Sequence, residues 1–124
     1  MPALRTVEEP LALADVLATH STPGTLVVVD CLTLWLTNLL MPVGATWDEA
    51  GMPDVSAQTA LLLTAIRQAP GPVVLVGNEI GLGVIPMGRE VRAFVDALGR
   101  LNQDVAAACD RVTWMAAGLP LVLK

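Results

Sequence analysis

Two apolar runs of the sequence end in polar side chains of types that bind metal ions and nucleotides. The first run, Leu26–Asp30, is rich in β-branched residues, follows a Pro-Gly turn and closes on the carboxylate of Asp30. The second, Val73–Val76, leads into Asn78 and Glu79. Short runs of this kind predict buried parallel strands. Ligands of open α/β sheets bind beyond the carboxyl ends of the strands. Together, the two polar strand ends therefore predict a site more strongly than either does alone.

Asp30 has two interpretations that the sequence leaves open. At a strand end, its carboxylate is well placed to hold a nucleotide-bound metal ion or an attacking hydroxyl group. Alternatively it caps the segment that follows, because aspartate is a favoured residue at helix N-termini.

The segment after the second strand is rich in glycine. Gly77–Pro86 carries three glycines, and two of them, Gly81 and Gly83, follow Asn78 and Glu79 closely. Glycine lets the backbone approach a ligand or adopt a positive φ. We therefore predict that Asn78, Glu79, Gly81 and Gly83 line the site.

Helix and strand patterns alternate along the whole chain, which predicts an α/β fold with a mainly parallel sheet flanked by helices. The uninterrupted apolar strands predict a sheet covered on both faces. The length suits a single domain, residues 1–124. The predicted elements are a helix from near Pro10 to His20, the strand Leu26–Asp30, a helix Leu32–Met41, a loop Met41–Pro53, a helix from Asp54 or Ser56 to Ala69, the strand Val73–Val76, a helix Gly88–Cys109, a third strand Val112–Ala116 and a terminal strand Leu121–Leu123 that completes a C-terminal hairpin.

The helix Gly88–Cys109 has one apolar stripe, with residues at three- and four-residue steps. Its other side is polar. That side is either a solvated face, or a face on which Arg100, Asn102 and Gln103 meet a neighbouring subunit or a ligand.

The composition is unusually apolar for a small domain. Hydrophobic residues make up 54% of the 124 and charged residues only 15%. So little polar surface suggests that other subunits cover part of the chain, or that part of the parent fold is missing.

Charge and cysteine usage argue against several classes of protein. A net charge of −5 with a single lysine excludes the basic surface typical of nucleic-acid binding. Cys31 and Cys109 lack metal-ligand spacing, so we expect free thiols in a reducing compartment. The uncharged run Cys31–Trp47 is broken by polar residues, proline and glycine and is too short to span a membrane.

Four segments are specific enough to suggest a family. They read VVVDCLTLWLTNLL, VGNEIGLGVIPMGRE, ALGRLNQDVAAACDRV and AAGLPLVLK, and the opening LRTVEEP is similar to an R-T-x-E segment. Together they resemble the bifunctional adenosylcobinamide kinase/adenosylcobinamide-phosphate guanylyltransferase family, in the family's own order and over nearly the whole chain.

The resemblance implies a cytoplasmic homotrimeric enzyme of cobalamin biosynthesis with a RecA-like P-loop fold. Such enzymes phosphorylate adenosylcobinamide with ATP or GTP and then transfer GMP from GTP through a guanylyl-histidine. It further implies that Asp30 acts at the nucleotide-binding strand end and holds Mg²⁺. By the same resemblance, Glu8 contacts the guanine nucleotide.

The chain departs from the family pattern at its N-terminal end. The sequence has no GK[ST] motif, and His20 lies after Arg5–Glu8 rather than before it, so His20 does not match the histidine that accepts GMP. The chain therefore resembles the C-terminal two-thirds of such an enzyme. A P-loop supplies the N–H cradle and the lysine for the phosphates, so we expect impaired activity.

Two other functions stay open at this stage. One is a non-catalytic oligomeric module that binds a corrinoid or guanine nucleotide. The other is a generic α/β nucleotide-binding domain in which Asp30 holds Mg²⁺ for another substrate.

Overall fold

The structure is a computed structural model of the 124-residue chain, and it describes residues 4–40, 54–83 and 88–124. The predicted loop 41–53 and the later part of the glycine-rich segment, residues 84–87, lie outside the described residues.

The described residues form four helices and four strands in the predicted order. The first helix begins at Leu13, three residues after Pro10, so the predicted start at the proline is wrong. The Glu9 carboxylate instead accepts a hydrogen bond from the Leu11 N–H at 3.1 Å, in a turn ahead of the helix. The elements are α1 (Leu13–His20), β1 (Val27–Asp30), α2 (Leu32–Leu40), α3 (Val55–Gln68), β2 (Val73–Val76), α4 (Arg89–Ala108), β3 (Thr113–Ala116) and β4 (Leu119–Val122).

Strands β1 and β2 pair in parallel, as their apolar runs predict. Val27 lies opposite Val73, and Asp30 lies opposite Val76, so the two strands end at the same level. The long connection between them contains α2 and α3, as a parallel crossover requires. The mixed α/β class is therefore confirmed.

The third predicted strand does not join this sheet. Strands β3 and β4 form a separate antiparallel hairpin, in which Thr113 lies opposite Val122. Its two-residue turn places Ala117 at φ 53° and Gly118 at φ 75°. Positive φ at both turn positions matches the twist of a tight hairpin. The C-terminal hairpin is thus confirmed, as an element separate from the parallel pair.

The hydrophobic core lies on one side of the parallel sheet. Helix α3 packs against α1, α2 and α4, and α2 also packs against α4. Val29 of the sheet is buried among side chains of these helices. Five core leucines are almost completely inaccessible to solvent: Leu17, Leu36, Leu62, Leu98 and Leu101.

The other face of the parallel sheet is exposed, contrary to the prediction that both faces are covered. Val28, Val74 and Val76 are 53%, 46% and 41% exposed, whereas Val29 is 8% exposed. Both apolar runs form strands, as predicted, but the four helices all pack on one face of the parallel sheet. A continuous apolar run shows that a strand suits burial, and only the surrounding chain decides whether it is buried.

Local sequence signals explain where the later helices begin and how they pack. Asp54 is the N-cap of α3, and its carboxylate accepts a hydrogen bond from the Ala57 N–H at 3.1 Å. In α4, Leu98, Leu101 and Val105 are buried, which confirms the predicted apolar stripe from Leu98 onward, whereas Val91 near the start of the helix is 53% exposed. No helix within the described ranges is both long enough and apolar enough to cross a membrane.

Candidate functional site

The strand ends that carry Asp30 and Asn78 lie side by side. Asp30 is the last residue of β1 and pairs with Val76, the last residue of β2, so Asn78 follows two residues beyond the same edge. Asp30, Asn78 and Glu79 are all exposed. The peptide bond between Asp30 and Cys31 is cis. The expected juxtaposition is present, and its use as a binding site stays a prediction.

The backbone of Asn78 is held by two side chains from different helices. Its N–H donates to the Thr33 hydroxyl oxygen at 2.9 Å, and its C=O accepts from the Asn102 side-chain amide at 3.1 Å. Thr33 lies in the first turn of α2 and Asn102 lies beyond the middle of α4. Three elements therefore meet at one residue just past the strand end, through the two peptide groups on either side of its Cα.

Asn102 makes a contact that neither interpretation of α4 includes. Its amide binds a loop of its own chain, and the interpretation that Arg100, Asn102 and Gln103 meet a neighbouring subunit or a ligand stays a prediction. Thr33 was not selected as a site residue. One sequence signal was available, since a hydroxyl three residues after a strand-ending aspartate must lie near that strand end.

Glu79 and Gly81 form a turn within the glycine-rich segment. The Gly81 N–H donates to the Glu79 carboxylate at 2.8 Å, and a Cβ added at Gly81 would lie 2.9 Å from the same oxygen. Gly83 has open space around it. The glycines are not there for a positive φ, because Gly118 is the only glycine with one among the described residues. The predicted close approach to a ligand stays untested.

Glu8 lies in an extended N-terminal segment that is tied to α2. The indole N–H of Trp35 donates to the Leu11 carbonyl at 2.9 Å, and the Asn38 amide donates to the Pro10 carbonyl at 3.2 Å. Glu8 itself is exposed. Among the described residues, these contacts connect its segment to the helix that follows Asp30, and not to the strand ends directly.

The start of this segment is also attached to α1. The Arg5 guanidinium donates to Nδ1 of His20 at 3.2 Å. Arginine has no acceptor, so Nδ1 is the acceptor in this hydrogen bond. His20 thus acts here as a contact for the segment that contains Glu8.

A divalent cation at Asp30 would need further ligands from outside the described residues. The described residues contain no group of three or more His, Cys, Asp or Glu side chains that are able to hold a metal ion. Mg²⁺ commonly binds through one or two carboxylates together with nucleotide phosphates and water. The exposed carboxylate of Asp30 fits that mode, and it does not fit a dedicated all-protein cage.

The two cysteines are free and half-buried, and both contact helix ends. The Leu34 N–H points at the Cys31 sulfur at 3.4 Å in the first turn of α2. Burial raises the pKa of the Cys109 thiol, with Asp110 adding to the rise and Lys124 opposing it. The Lys124 ammonium donates to the carbonyls of Ala106 and Cys109 at 3.0 and 2.8 Å and so caps the C-terminus of α4. These contacts indicate structural roles.

Comparison with known proteins identifies the family. A profile of the CobU family, described as cobinamide kinase / cobinamide phosphate guanyltransferase, matches residues 1–123. The chain belongs to this family.

The bifunctional adenosylcobalamin biosynthesis protein CobP of Pseudomonas aeruginosa is 47% identical over 97% of this chain and 65% of its own length. The bifunctional adenosylcobalamin biosynthesis protein CobU of Escherichia coli is 35% identical over 97% of this chain and 70% of its own length. The bifunctional adenosylcobalamin biosynthesis protein CobU of Salmonella typhimurium is 36% identical over 82% of this chain and 60% of its own length. The chain therefore spans roughly two thirds of the length of these relatives.

The family match confirms the resemblance that the four sequence segments indicated. It covers both strand ends, the N-terminal segment with Glu8 and the C-terminal hairpin. Because the relatives are longer, the match by itself assigns no complete activity to these 124 residues.

Proposed function

We propose that the chain is part of the machinery that phosphorylates adenosylcobinamide and then guanylylates the product in cobalamin biosynthesis, in the cytoplasm. In the first step the terminal phosphoryl group of ATP or GTP moves to the aminopropanol hydroxyl, which gives up its proton as the nucleoside diphosphate leaves. In the second step GMP moves from GTP to the new phosphate, and pyrophosphate leaves.

One observation carries this proposal. Asp30 is the last residue of β1 and Asn78 lies two residues beyond the adjacent parallel strand, at the edge where α/β sheets bind ligands, in a chain that matches the cobinamide kinase family over residues 1–123. The parallel pair with helices in its crossover supports a RecA-like P-loop fold for residues 1–124, as a single nucleotide-binding domain.

The site residues take separate roles in this proposal. Asp30 holds Mg²⁺ together with the phosphate oxygens of the nucleotide, and the metal offsets negative charge during phosphoryl transfer. Glu8 contacts the guanine nucleotide. Asn78, Glu79, Gly81 and Gly83 line the substrate side of the same edge.

The 124 residues by themselves are expected to transfer slowly. Their sequence contains no GK[ST] motif and no histidine ahead of Arg5, so it offers neither a phosphate cradle with its lysine nor the matching acceptor for GMP. We propose that both groups come from a further segment, and that the assembled enzyme is a homotrimer.

Calorimetric titration with GTP in the presence of Mg²⁺ tests the role of Asp30. Asp30→Asn removes the charge but keeps the shape, so Mg²⁺-dependent affinity should fall about tenfold or more, while titration with adenosylcobinamide stays unchanged. Asp54→Asn is the matched control, because asparagine caps a helix as well as aspartate does. Equal GTP affinity in wild type and Asp30→Asn would contradict the assignment.

A turnover assay separates this proposal from the other candidate. The absence of a phosphate cradle from these residues favours, as an alternative, a non-catalytic oligomeric module that binds corrinoid or guanine nucleotide. Adenosylcobinamide and Mg²⁺-ATP are incubated with the chain, and the phosphorylated product is measured. Binding with slow turnover is the expected result, whereas binding with no turnover at long incubation favours the module.

A further inference from the structure

The backbone of Asn78 is hydrogen-bonded to side chains of two helices at the predicted site. Strand β2 ends at Val76, so the N–H and C=O of Asn78 no longer take part in the parallel ladder. Both groups are nevertheless hydrogen-bonded, the N–H to the Thr33 hydroxyl and the C=O to the Asn102 amide. Two side chains that lie 45 and 24 residues away in sequence thus replace the missing strand partners.

Neither side chain is needed by its own helix. Asparagine and threonine in a helix are less favourable than alanine by a few tenths of a kcal/mol. Asn102 lies one position after the buried Leu101, and a Cβ added at Gly77 would meet its amide oxygen at 3.6 Å. The Asn102 side chain therefore runs along the backbone of Gly77 and Asn78, on the side of the loop that faces α4.

The hydrogen bonds also limit what the loop can bind. The Asn78 N–H is used by Thr33 and the Gly81 N–H by the Glu79 carboxylate, so neither is free to hold a phosphate. A carboxylate at the Gly81 N–H would also repel an anion. The exposed Asn78 amide offers a donor and an acceptor, and the exposed Glu79 carboxylate offers acceptor positions beyond its bond to the Gly81 N–H. Both side chains suit an uncharged ligand group that carries hydroxyls or amides.

We propose that Thr33 and Asn102 are positioning residues, which hold the backbone of Asn78 so that the Asn78 and Glu79 side chains meet an uncharged, hydrogen-bonding part of the substrate rather than a phosphate. This inference rests on the proposed function, in which that substrate is adenosylcobinamide. Thr33 fixes the loop from α2, immediately after Asp30, and Asn102 fixes it from α4. The two residues therefore relate the loop to the strand end that carries Asp30.

Amide hydrogen exchange tests the structural half of the proposal in the full chain. Thr33→Val removes the hydroxyl without changing the shape of the side chain, and Asn102→Asp replaces the donor by a carboxylate. Thr33→Val, which removes the acceptor of the Asn78 N–H, should speed exchange at that N–H by roughly three- to tenfold, the range for the loss of one hydrogen bond. Asn102→Asp, which releases the Asn78 C=O, should also speed exchange at Asn78, by a smaller factor. Thr33→Ser keeps the hydroxyl and should restore slow exchange.

Matched controls separate this effect from general changes in charge and stability. Gln103→Glu adds the same negative charge one residue away, on an exposed position of α4. Thr64→Val removes a hydroxyl that donates to the Ala60 carbonyl within α3. Both should leave exchange at Asn78 unchanged. Unchanged exchange in Thr33→Val and Asn102→Asp would overturn the proposal, even if both variants fold normally.

Titration of the same variants with adenosylcobinamide and with Mg²⁺-GTP tests the functional half. Thr33→Val and Asn102→Asp should weaken adenosylcobinamide binding by about tenfold and leave Mg²⁺-GTP binding within about twofold of wild type. Equal adenosylcobinamide affinity in wild type and variants would overturn the positioning role alone. Failure of the unmodified chain to bind either compound would overturn the proposed function, and the substrate half of this inference with it.

Discussion

The two faces of the parallel sheet carry the same kind of residue but have different environments. Val27 and Val29 on one face pack against the helices, while Val28 and Val74 on the other face are about half exposed. Apart from Leu75 on the covered face and Asp30 on the exposed one, every residue of both strands is valine, so composition hardly distinguishes the faces. The difference shows that position relative to the helices, rather than residue type, decides how much each valine contributes to stability.

The same comparison applies to the hairpin. All residues of β3 and β4 are exposed, including Trp114, Leu119 and Val122, so the strands there are held mainly by their own ladder and by the last residues of the chain. Leu123 and Lys124 both donate backbone hydrogen bonds to the Val112 carbonyl. The covered face of the sheet should therefore dominate the free energy of unfolding.

The largest expected effect lies in the helix layer of the core. Leu36 is fully buried in α2, and Leu36→Ala should lower the free energy of unfolding by about 2–5 kcal/mol, since it loses transfer energy and leaves a cavity. Leu34→Ala in the same helix is the control, because Leu34 is 56% exposed. Urea denaturation measures both. Similar losses for the two variants would contradict the one-sided core.

Neighbouring valines of β1 give the sharpest test of the two faces. Val29→Ala should cost about 2 kcal/mol, from two lost methyl groups and a small cavity. Val28→Ala should cost less than about 0.5 kcal/mol, as is usual for exposed positions. Since the two residues are adjacent in one strand, β-propensity is matched. If Val28→Ala lowers the free energy of unfolding as much as Val29→Ala does, another part of the protein or a partner covers the exposed face of the sheet.

Trp35 lies in the hydrophobic core on the covered face of the sheet, and its indole N–H binds the N-terminal segment at Leu11. Trp35→Phe keeps an aromatic ring in the core but removes the indole donor to the Leu11 carbonyl, so we expect a loss of about 1 kcal/mol, beyond the change in ring size. Trp114→Phe on the exposed hairpin serves as the control and should change the urea midpoint little. Exchange at residues 5–11 should also rise in Trp35→Phe, and unchanged exchange there would show that the segment is held by other contacts.

The smallest expected effect concerns the Cys109 thiol at the end of α4. Burial raises its pKa in the folded chain, so folding favours the protonated thiol. That contribution is complete below the unfolded pKa of about 8.5 and is lost as the pH rises through the folded value. The free energy of unfolding should therefore fall more steeply above about pH 8.5 in wild type than in Cys109→Ala. Parallel pH profiles would contradict this.

Much of the fold could be predicted because its signals are local. The spacing of Leu98, Leu101 and Val105 indicated the buried stripe of α4, and the paired runs ending at Asp30 and Val76 indicated two parallel strands. The strand-end location of Asp30 and Asn78 followed from the same reasoning. The periods of helices and strands depend on neighbouring residues, so they can be recognised without knowledge of how the rest of the chain folds.

The errors share a physical cause. The start of α1 was placed at Pro10, but the Glu9 carboxylate and the Asn38 amide hold that region in another conformation. Both faces of the sheet were expected to be covered, yet the helices all pack on one. In each case contacts with distant elements take part, the Asn38 amide at Pro10 and the helices at the sheet, and a local residue pattern does not record them.

The sequence by itself determined the order of helices and strands, the parallel pairing at Asp30 and the membership of the family, because these depend on residue patterns within short segments. Only the tertiary structure decided which face of the sheet is buried and that Thr33 and Asn102 hold the backbone of Asn78. The reason is that a hydrogen bond between distant residues requires the intervening elements to be packed first. A local residue pattern does not indicate which backbone group a side chain will contact after that packing.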